Sequence, residues 1–404
     1  MRLILGYEAG LQPNGGIGRY ARGLRRALRG APQIGSITCM ANLSVLDAAS
    51  LEEREGQWGA HAAIRPATPW TPERVARAVG SRIPLLNTQL RDLRARQLLD
   101  SGAYDLYHEL NYTLRASSLP SVASIHDLST FSNPGSHPAR RVAEMGRAIP
   151  HAVDRAQALI TISEFSRREI VQRYPQAEGK LFVVPVGVEP GFSPRTEVEC
   201  MPVLHAQGLA WKNFVLFVGT LEPRKNLERC LQAYADLPLQ QARALPLVVV
   251  GAKGWRDGSL NAALDAACER GIARKVGSLA DDELPMFYSA ARGLCFASLY
   301  EGQGLPALEA TCCGTPVLTT IGSPMAENLS GIALTADPTD ARAIRDGLLQ
   351  LIEDDGLQAN AMAHAASIAA AFAWDKIAVD TLKVYEFALA SAGRPRSVIG
   401  GHRG

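Results

Sequence analysis

The chain has 404 residues, of which 47% are hydrophobic and 20% charged, with a formal net charge of +2. That length exceeds one ordinary core and asks for two domains, while the balance of apolar and charged residues excludes a disordered or fibrous chain. A charge so close to neutral weakens a nucleic-acid reading, which would want a strongly basic face, and seven cysteines without a CxxC pair fit a reducing cytosol. No apolar run approaches the ~20 residues of a membrane span. MRLILGYEAG runs straight into a strand, so no signal peptide is expected.

Residues 2–7 are a short apolar run that reads as a buried first strand, and PNGGIG at 13–18 is a glycine-rich turn leading to a helix over 19–29. Together they open a Rossmann-like unit, in which Gly15, Gly16 and Gly18 either let the loop pass close to a ligand or make a bare tight turn. Residues 70–99 carry Arg74, Arg77, Arg82, Arg91, Arg94 and Arg96 with few acids. Such a stretch is a solvated helix face or a basic surface for anionic lipid or a diphosphate-linked acceptor. YDLYHELNY at 104–112 reads as a strand ending in a polar loop placed to line a cleft. The strand VASIHD, 122–127, delivers His126 and Asp127 at its carboxyl end, where ligands sit in open α/β sheets. A helix over 139–155, a strand at 158–162, the N-cap Ser163 ahead of EFSRREIVQRY and a strand at 181–185 complete the first half.

Two prolines and a glycine in 190–194 mark a hinge, after which the pattern restarts. A strand at 214–219 turns through GTLEPRKN into a helix over 227–234. Arg224 and Lys225 stand just before that helix, so two cations and free amides can converge on one anion, at ~1.5–3 kcal/mol per charged hydrogen bond. Strands at 245–250 and 276–279 alternate with a helix over 281–291, and a strand at 295–298 enters SLYEGQGLPALEATCCGTPVLTT, 298–320. There Glu301 and Glu309 flank Gly302 and Gly304, Pro306 suits a first helical position, and Gly314 suits the position past the helix end. The short helix between them presents free amides at Gly304 and Leu305 and the positive end of its dipole, a site for a diphosphate. An acid beside a bound phosphate must hold something else, and sugar or ribose hydroxyls are the natural candidates. Helices over 340–353 and 359–372, an amphipathic helix over 372–389 and a glycine-rich tail expected to be disordered end the chain.

Strands alternating with helices in both halves imply an α/β protein with two doubly wound domains across a cleft, residues 1–192 and 193–372, then a terminal helix at 373–393 and a tail at 394–404. E-G-x-G-L-P-x-L-E-A at 301–310 with C-G-T-P-V at 313–317, G-x-x-x-x-R-K-N at 219–226, the His126–Asp127 pair and TISEFS at 161–166 resemble the retaining nucleotide-sugar glycosyltransferases of family four. Gln303, where that family usually has an aromatic or similar residue, and the doubled Cys312 and Cys313 depart from the pattern.

The resemblance implies the GT-B fold, with an acceptor-side first domain, a second domain that binds the nucleotide sugar, and a last helix that returns to the first domain. It implies Arg224, Lys225 and the amides around Gly302, Gly304 and Leu305 on the diphosphate, with Gly219 beside them. Glu301 would hold sugar hydroxyls, Glu309 the ribose, and His126 with Asp127 the sugar from the opposite domain. Gln303 would add an amide near the sugar, the Gly15 to Gly18 loop would face the diphosphate, and Lys253 and Leu279 would face the nucleobase. Glu327 would lie near the same pocket. The implied activity is retaining, cofactor-free and metal-independent transfer of a hexose, mannose or a deoxyhexose, from a GDP-sugar to a hydroxyl of a growing cell-surface glycan or lipid-linked glycan. The implied place is the cytoplasm, with peripheral contact at the inner membrane face through 70–99. Front-face attack, with the departing phosphate taking the acceptor's proton, is preferred to a covalent intermediate. An epimerase or phosphorylase of the same architecture and a catalytically silent sugar-nucleotide subunit are the competing readings.

Overall fold

A computed structural model describes residues 1–12, 15–41, 44–49, 51–53, 55, 93–252 and 258–392. Most of the basic stretch 70–99, the residue Lys253 and the tail 394–404 therefore lie outside the described residues.

Two sheets organise the chain. The first has the order β3-β2-β1-β4-β5-β6-β7, from β1 (Arg2–Gly6), β2 (Ser36–Ala41), β3 (Ser44–Leu46), β4 (Leu106–Glu109), β5 (Ser121–Ser124), β6 (Ala158–Thr161) and β7 (Leu181–Val183). The second has the order β10-β9-β8-β11-β12-β13, from β8 (Val215–Val218), β9 (Leu247–Val250), β10 (Ala273–Gly277), β11 (Gly293–Phe296), β12 (Val317–Thr320) and β13 (Leu334–Ala336). Every pairing is parallel except that of β3 with β2. Parallel strands need helical crossovers that cover both faces, so their side chains are buried above and below, as in the wholly buried LVVV of β9. In each sheet the order reverses beside the first strand, at β1 and at β8, and the crevice beyond the carboxyl ends at such a point is where ligands bind.

Several element ends differ from the sequence reading in ways that matter for the site. The first helix is Gly16–Arg29, which takes in two of the glycines assigned to the turn. A side chain at Gly18 would meet the Gln12 carbonyl at 2.8 Å, so that glycine serves packing against the preceding turn. The strand expected over 122–127 ends at Ser124, which leaves His126 and Asp127 in the loop. The helix expected from 281 begins at Leu284, and β10 ends at Gly277, before Leu279.

The last helix, Trp374–Ala392, returns to the first sheet and lies against Gly16–Arg29. Trp374 fits there because Gly23 and Gly187 have no side chains; a Cβ on Gly187 would stand 2.5 Å from the indole. Farther along that helix the Tyr385 hydroxyl bonds His108 Nδ1 at 2.8 Å, in the buried core of the first sheet. The two passages of the chain between the sheets are themselves joined, Val188 donating its N–H to the Phe372 carbonyl at 2.9 Å. Among the described residues no helix is long and apolar enough to cross a membrane.

Candidate functional site

A cavity of about 640 Å³ opens between the carboxyl ends of the two sheets. One wall comes from the loops after β8 and β11 and the helix Leu305–Cys312; the other comes from 15–19, Tyr112, 126–129, 136–141 and Val186.

The first of these walls is built on a three-residue turn, Pro223–Lys225, followed by Asn226 in the left-handed region at φ 61°. Asn226 is buried, and its amide donates to the carbonyls of Ala297 at 2.9 Å and Pro338 at 2.8 Å. That anchor aims the two preceding side chains into the cleft. Lys225 Nζ reaches Glu301 Oε1 at 2.7 Å and Arg224 Nη1 lies 3.1 Å from Glu301 Oε2, while Arg224 Nη2 bonds Glu222 at 2.6 Å. Burial raises the Glu301 carboxyl, but Lys225 and Arg224 outweigh it and leave it lowered to about 2. Burial likewise pulls the Arg224 guanidinium down, and Glu301 and Glu222 outweigh that and raise it. Glu301 was expected to stand free beside an anion. Here it is the counterion of both cations, because two desolvated positive charges need one.

Gly304 caps the helix Leu305–Cys312 at φ 78°, a conformation costly for any residue with a Cβ, and Pro306 follows in the first turn. Glu309, one turn in and 2% exposed, accepts from the Tyr288 hydroxyl at 3.0 Å and from Arg19 of the opposite wall. The ribose acid expected from the sequence is thus one half of an ion pair between the two walls, and Glu309 raises the Arg19 guanidinium against the effect of burial.

On the facing side His126 is buried between Tyr20 and Tyr112, with ring centroids 4.9 and 5.6 Å away. Its Nε2 lies 2.9 Å from the Leu110 carbonyl, and a carbonyl only accepts, so that nitrogen carries the proton. Burial lowers the pKa and keeps the ring neutral, with a bare lone pair on Nδ1. Tyr112 holds its ring there at φ 60°, a backbone position that costs of order 1–3 kcal/mol and needs the surrounding packing to persist. Asp127 caps the next turn by accepting from the Ser129 N–H at 2.8 Å, and it approaches Gly302 so closely that a Cβ there would be 2.9 Å from Oδ2.

Most residues singled out from the sequence line this cavity: Gly15, Gly16, His126, Asp127, Gly219, Arg224, Lys225, the run Glu301 to Leu305, and Glu309. Gly18 and Leu279 do not, and Leu279 packs against the core of the second sheet. Gln303 is placed otherwise than expected. Its Oε1 accepts from the Val186 N–H at 2.7 Å and its Nε2 donates to the Val186 carbonyl at 2.9 Å, so both ends of the amide join the walls. Glu327 pairs with Arg168 outside the cavity lining. Tyr112 lines the cavity, as expected of its polar loop, and Arg19, Glu222, His137 and Arg141 line it without having been singled out as site residues. The sequence carried a signal for Glu222, three residues before Lys225 in the same turn, and none for the others, whose neighbours are distant in the chain. Among the described residues no group of three or more His, Cys, Asp or Glu is gathered to hold a metal ion.

Residues 207–367 match the family described as Glycosyl transferases group 1, and residues 14–192 match Glycosyltransferase Family 4. O-antigen chain mannosyltransferase B of Escherichia coli is 33% identical over 390 residues, spanning 96% of this chain and 100% of that one. Sucrose-phosphate synthase of Thermosynechococcus elongatus superposes with a TM-score of 0.68 over 97% of this chain and 100% of its own, at 19% identity. Anabaena HepE in complex with UDP and glucose does so with a TM-score of 0.68 over 96% of this chain and 99% of its own, at 17% identity. At such identities the likeness is one of fold.

Proposed function

The chain belongs to the group 1, family four glycosyltransferases and has their GT-B fold, and from that premise we propose that it moves mannose or a deoxyhexose from a GDP-sugar to a hydroxyl of a growing cell-surface glycan, with retention and without a metal ion. The observation that carries this reading is the cluster of Arg224, Lys225, Glu222 and Glu301, partly buried at the carboxyl ends of β8 and β11 and facing His126 across one cavity. The full-length relative named for O-antigen mannosylation supports the choice of mannose and of an O-antigen glycan. The relation to the UDP-bound neighbour is too distant to bear on the base.

Breaking the donor's glycosidic bond puts charge on the β-phosphate. Arg224 and Lys225 would shift from Glu301 toward that charge, and the Gly304 and Leu305 amides at the helix end would share it. Positions fixed beforehand by Asn226 mean that little reorganisation is needed as the bond breaks. Glu301, released in part, would accept from the sugar's hydroxyls, and Glu309 would exchange Arg19 for the ribose hydroxyls. His126 Nδ1 can only accept, so it would take a hydrogen bond from a sugar hydroxyl. With donor bound, Glu301 and Glu309 would be taken up by sugar and ribose hydroxyls and Asp127 by its cap, which favours attack on the face the phosphate leaves over a carboxylate nucleophile. The departing phosphate would take the acceptor's proton.

The test is a panel of nucleotide sugars, with release of the nucleotide diphosphate followed with and without a mannoside acceptor and in EDTA. GDP released only with acceptor present, unaffected by EDTA, and an α-linked product are expected. An inverted anomer overturns retention, loss of activity in EDTA overturns metal independence, and an altered nucleotide sugar without acceptor favours the epimerase reading. Absence of turnover despite GDP binding favours the silent subunit.

A further inference from the structure

The first-domain wall holds two polar side chains that donor binding leaves unused. His137 follows the turn Pro134–Ser136 and Arg141 lies in the first turn of the helix Ala139–Arg155, and both line the cavity. The His137 Nε2 is enclosed and has no hydrogen-bond partner among the described residues. The Arg141 guanidinium makes no ion pair or hydrogen bond among them either. The other cations of the cleft and the protonated nitrogen of His126 are engaged. Arg19 is taken up by Glu309, Arg224 and Lys225 by Glu301 and Glu222, and His126 by Leu110. An enclosed ring nitrogen in a folded protein nearly always finds a partner, so the unpartnered His137 Nε2, beside the exposed and unpaired Arg141 guanidinium in the same cavity, marks a place that a ligand completes.

Charge and hydrogen-bonding capacity restrict what that ligand is. Burial first, then Arg141 and Arg224, lower the His137 pKa, so its ring is neutral and offers one donor and one acceptor. Among the described residues lining the cleft the cations are matched in number by carboxylates, Arg141 by Asp127, which it does not touch. A diphosphate donor makes the occupied cleft negative, and an anionic acceptor is then repelled. A sugar hydroxyl both donates and accepts, which fits a neutral imidazole, and neighbouring hydroxyl oxygens fit the guanidinium fork. We propose that His137 and Arg141 select the acceptor by binding the hydroxyls of a neutral sugar at its reacting end. This rests on the glycosyltransferase reading above and adds to it the residues and the charge class of the second substrate.

The experiment uses the full chain with saturating GDP-mannose and a set of neutral octyl glycosides (manno, rhamno, gluco, galacto and N-acetylglucosaminyl), each paired with its 6-phosphate or, for rhamnoside, 4-phosphate. His137→Ala and Arg141→Ala are expected to raise the acceptor KM about tenfold while the donor KM and the calorimetric affinity for GDP stay within about twofold. His137→Gln, which retains a donor and an acceptor, is expected to recover most of the loss, and circular dichroism checks that each variant is folded. Unchanged acceptor KM, an equal shift in donor KM or GDP affinity, or a wild-type preference for the phosphorylated glycosides overturns the proposal. So does a wild-type protein that binds GDP and hydrolyses the donor but transfers to none of the neutral glycosides. Failure to bind any nucleotide diphosphate would instead strike the glycosyltransferase reading itself.

Discussion

The two walls of the cleft are made in different ways. The second-domain wall draws nearly all its polar groups from two stretches, 219–226 and 301–309, and each is a strand end, a turn and a helix start. The first-domain wall gathers Arg19 from the connection after β1, Tyr112 from that after β4, His126, His137 and Arg141 from that after β5, and Val186 from beyond β7. A compact βα turn can carry charge that is oriented by its own neighbours, as Asn226 orients Arg224 and Lys225. A dispersed wall has its side chains held by contacts made at long range, such as the Tyr20 and Tyr112 rings on His126. The first arrangement suits a fixed anionic group, and the second suits a variable partner.

Four tests sharpen or break that contrast. The largest effect is expected at the oriented cations: Arg224→Ala or Lys225→Ala should lower kcat about 10²–10³-fold, against about tenfold for His126→Ala, measured as initial rates of transfer. Equal losses on the two sides would mean that the walls share the chemistry evenly. Next comes the pair that joins them. Arg19→Ala and Glu309→Gln, singly and together, should show a coupling of about 1–3 kcal/mol in urea unfolding, since each partner leaves the other a desolvated charge. A coupling near zero would show that the walls meet without holding one another.

Gly23→Ala probes the returning helix, where the added methyl would run into Trp374. A loss of about 1–3 kcal/mol, seen as a lower Tm, is expected, and an unchanged Tm would mean that the helix is free to shift. The smallest effect lies behind the first wall, at the end of β4. Glu109 is buried there, and burial followed by the charge of Glu8 raises its pKa from 4.5 to about 7, despite bonds from the Tyr107 hydroxyl and the Asn111 N–H. The folded state therefore holds this proton more tightly than the unfolded one, and stability is lost as pH rises between those two values and stays lost above them. Glu109→Gln should be no more stable than the parent at pH 4 and should gain on it as pH rises to 8. A difference independent of pH would remove the buried carboxyl from the account.

The sequence alone carried the architecture, because buried parallel strands are short apolar runs and their helical crossovers repeat with a recognisable spacing. It also carried the second wall, where cations, acids and glycines lie within one turn of each other and local rules govern them. The pairings between side chains were decided only in three dimensions. Glu301 is a counterion to Arg224 and Lys225, Glu309 is clasped by Arg19, and Gln303 is tied at both ends to Val186, a residue 117 positions away. Burial forces each such group to find a partner, and which partner comes within reach depends on how two independently wound sheets meet. No period or spacing along a chain records that meeting.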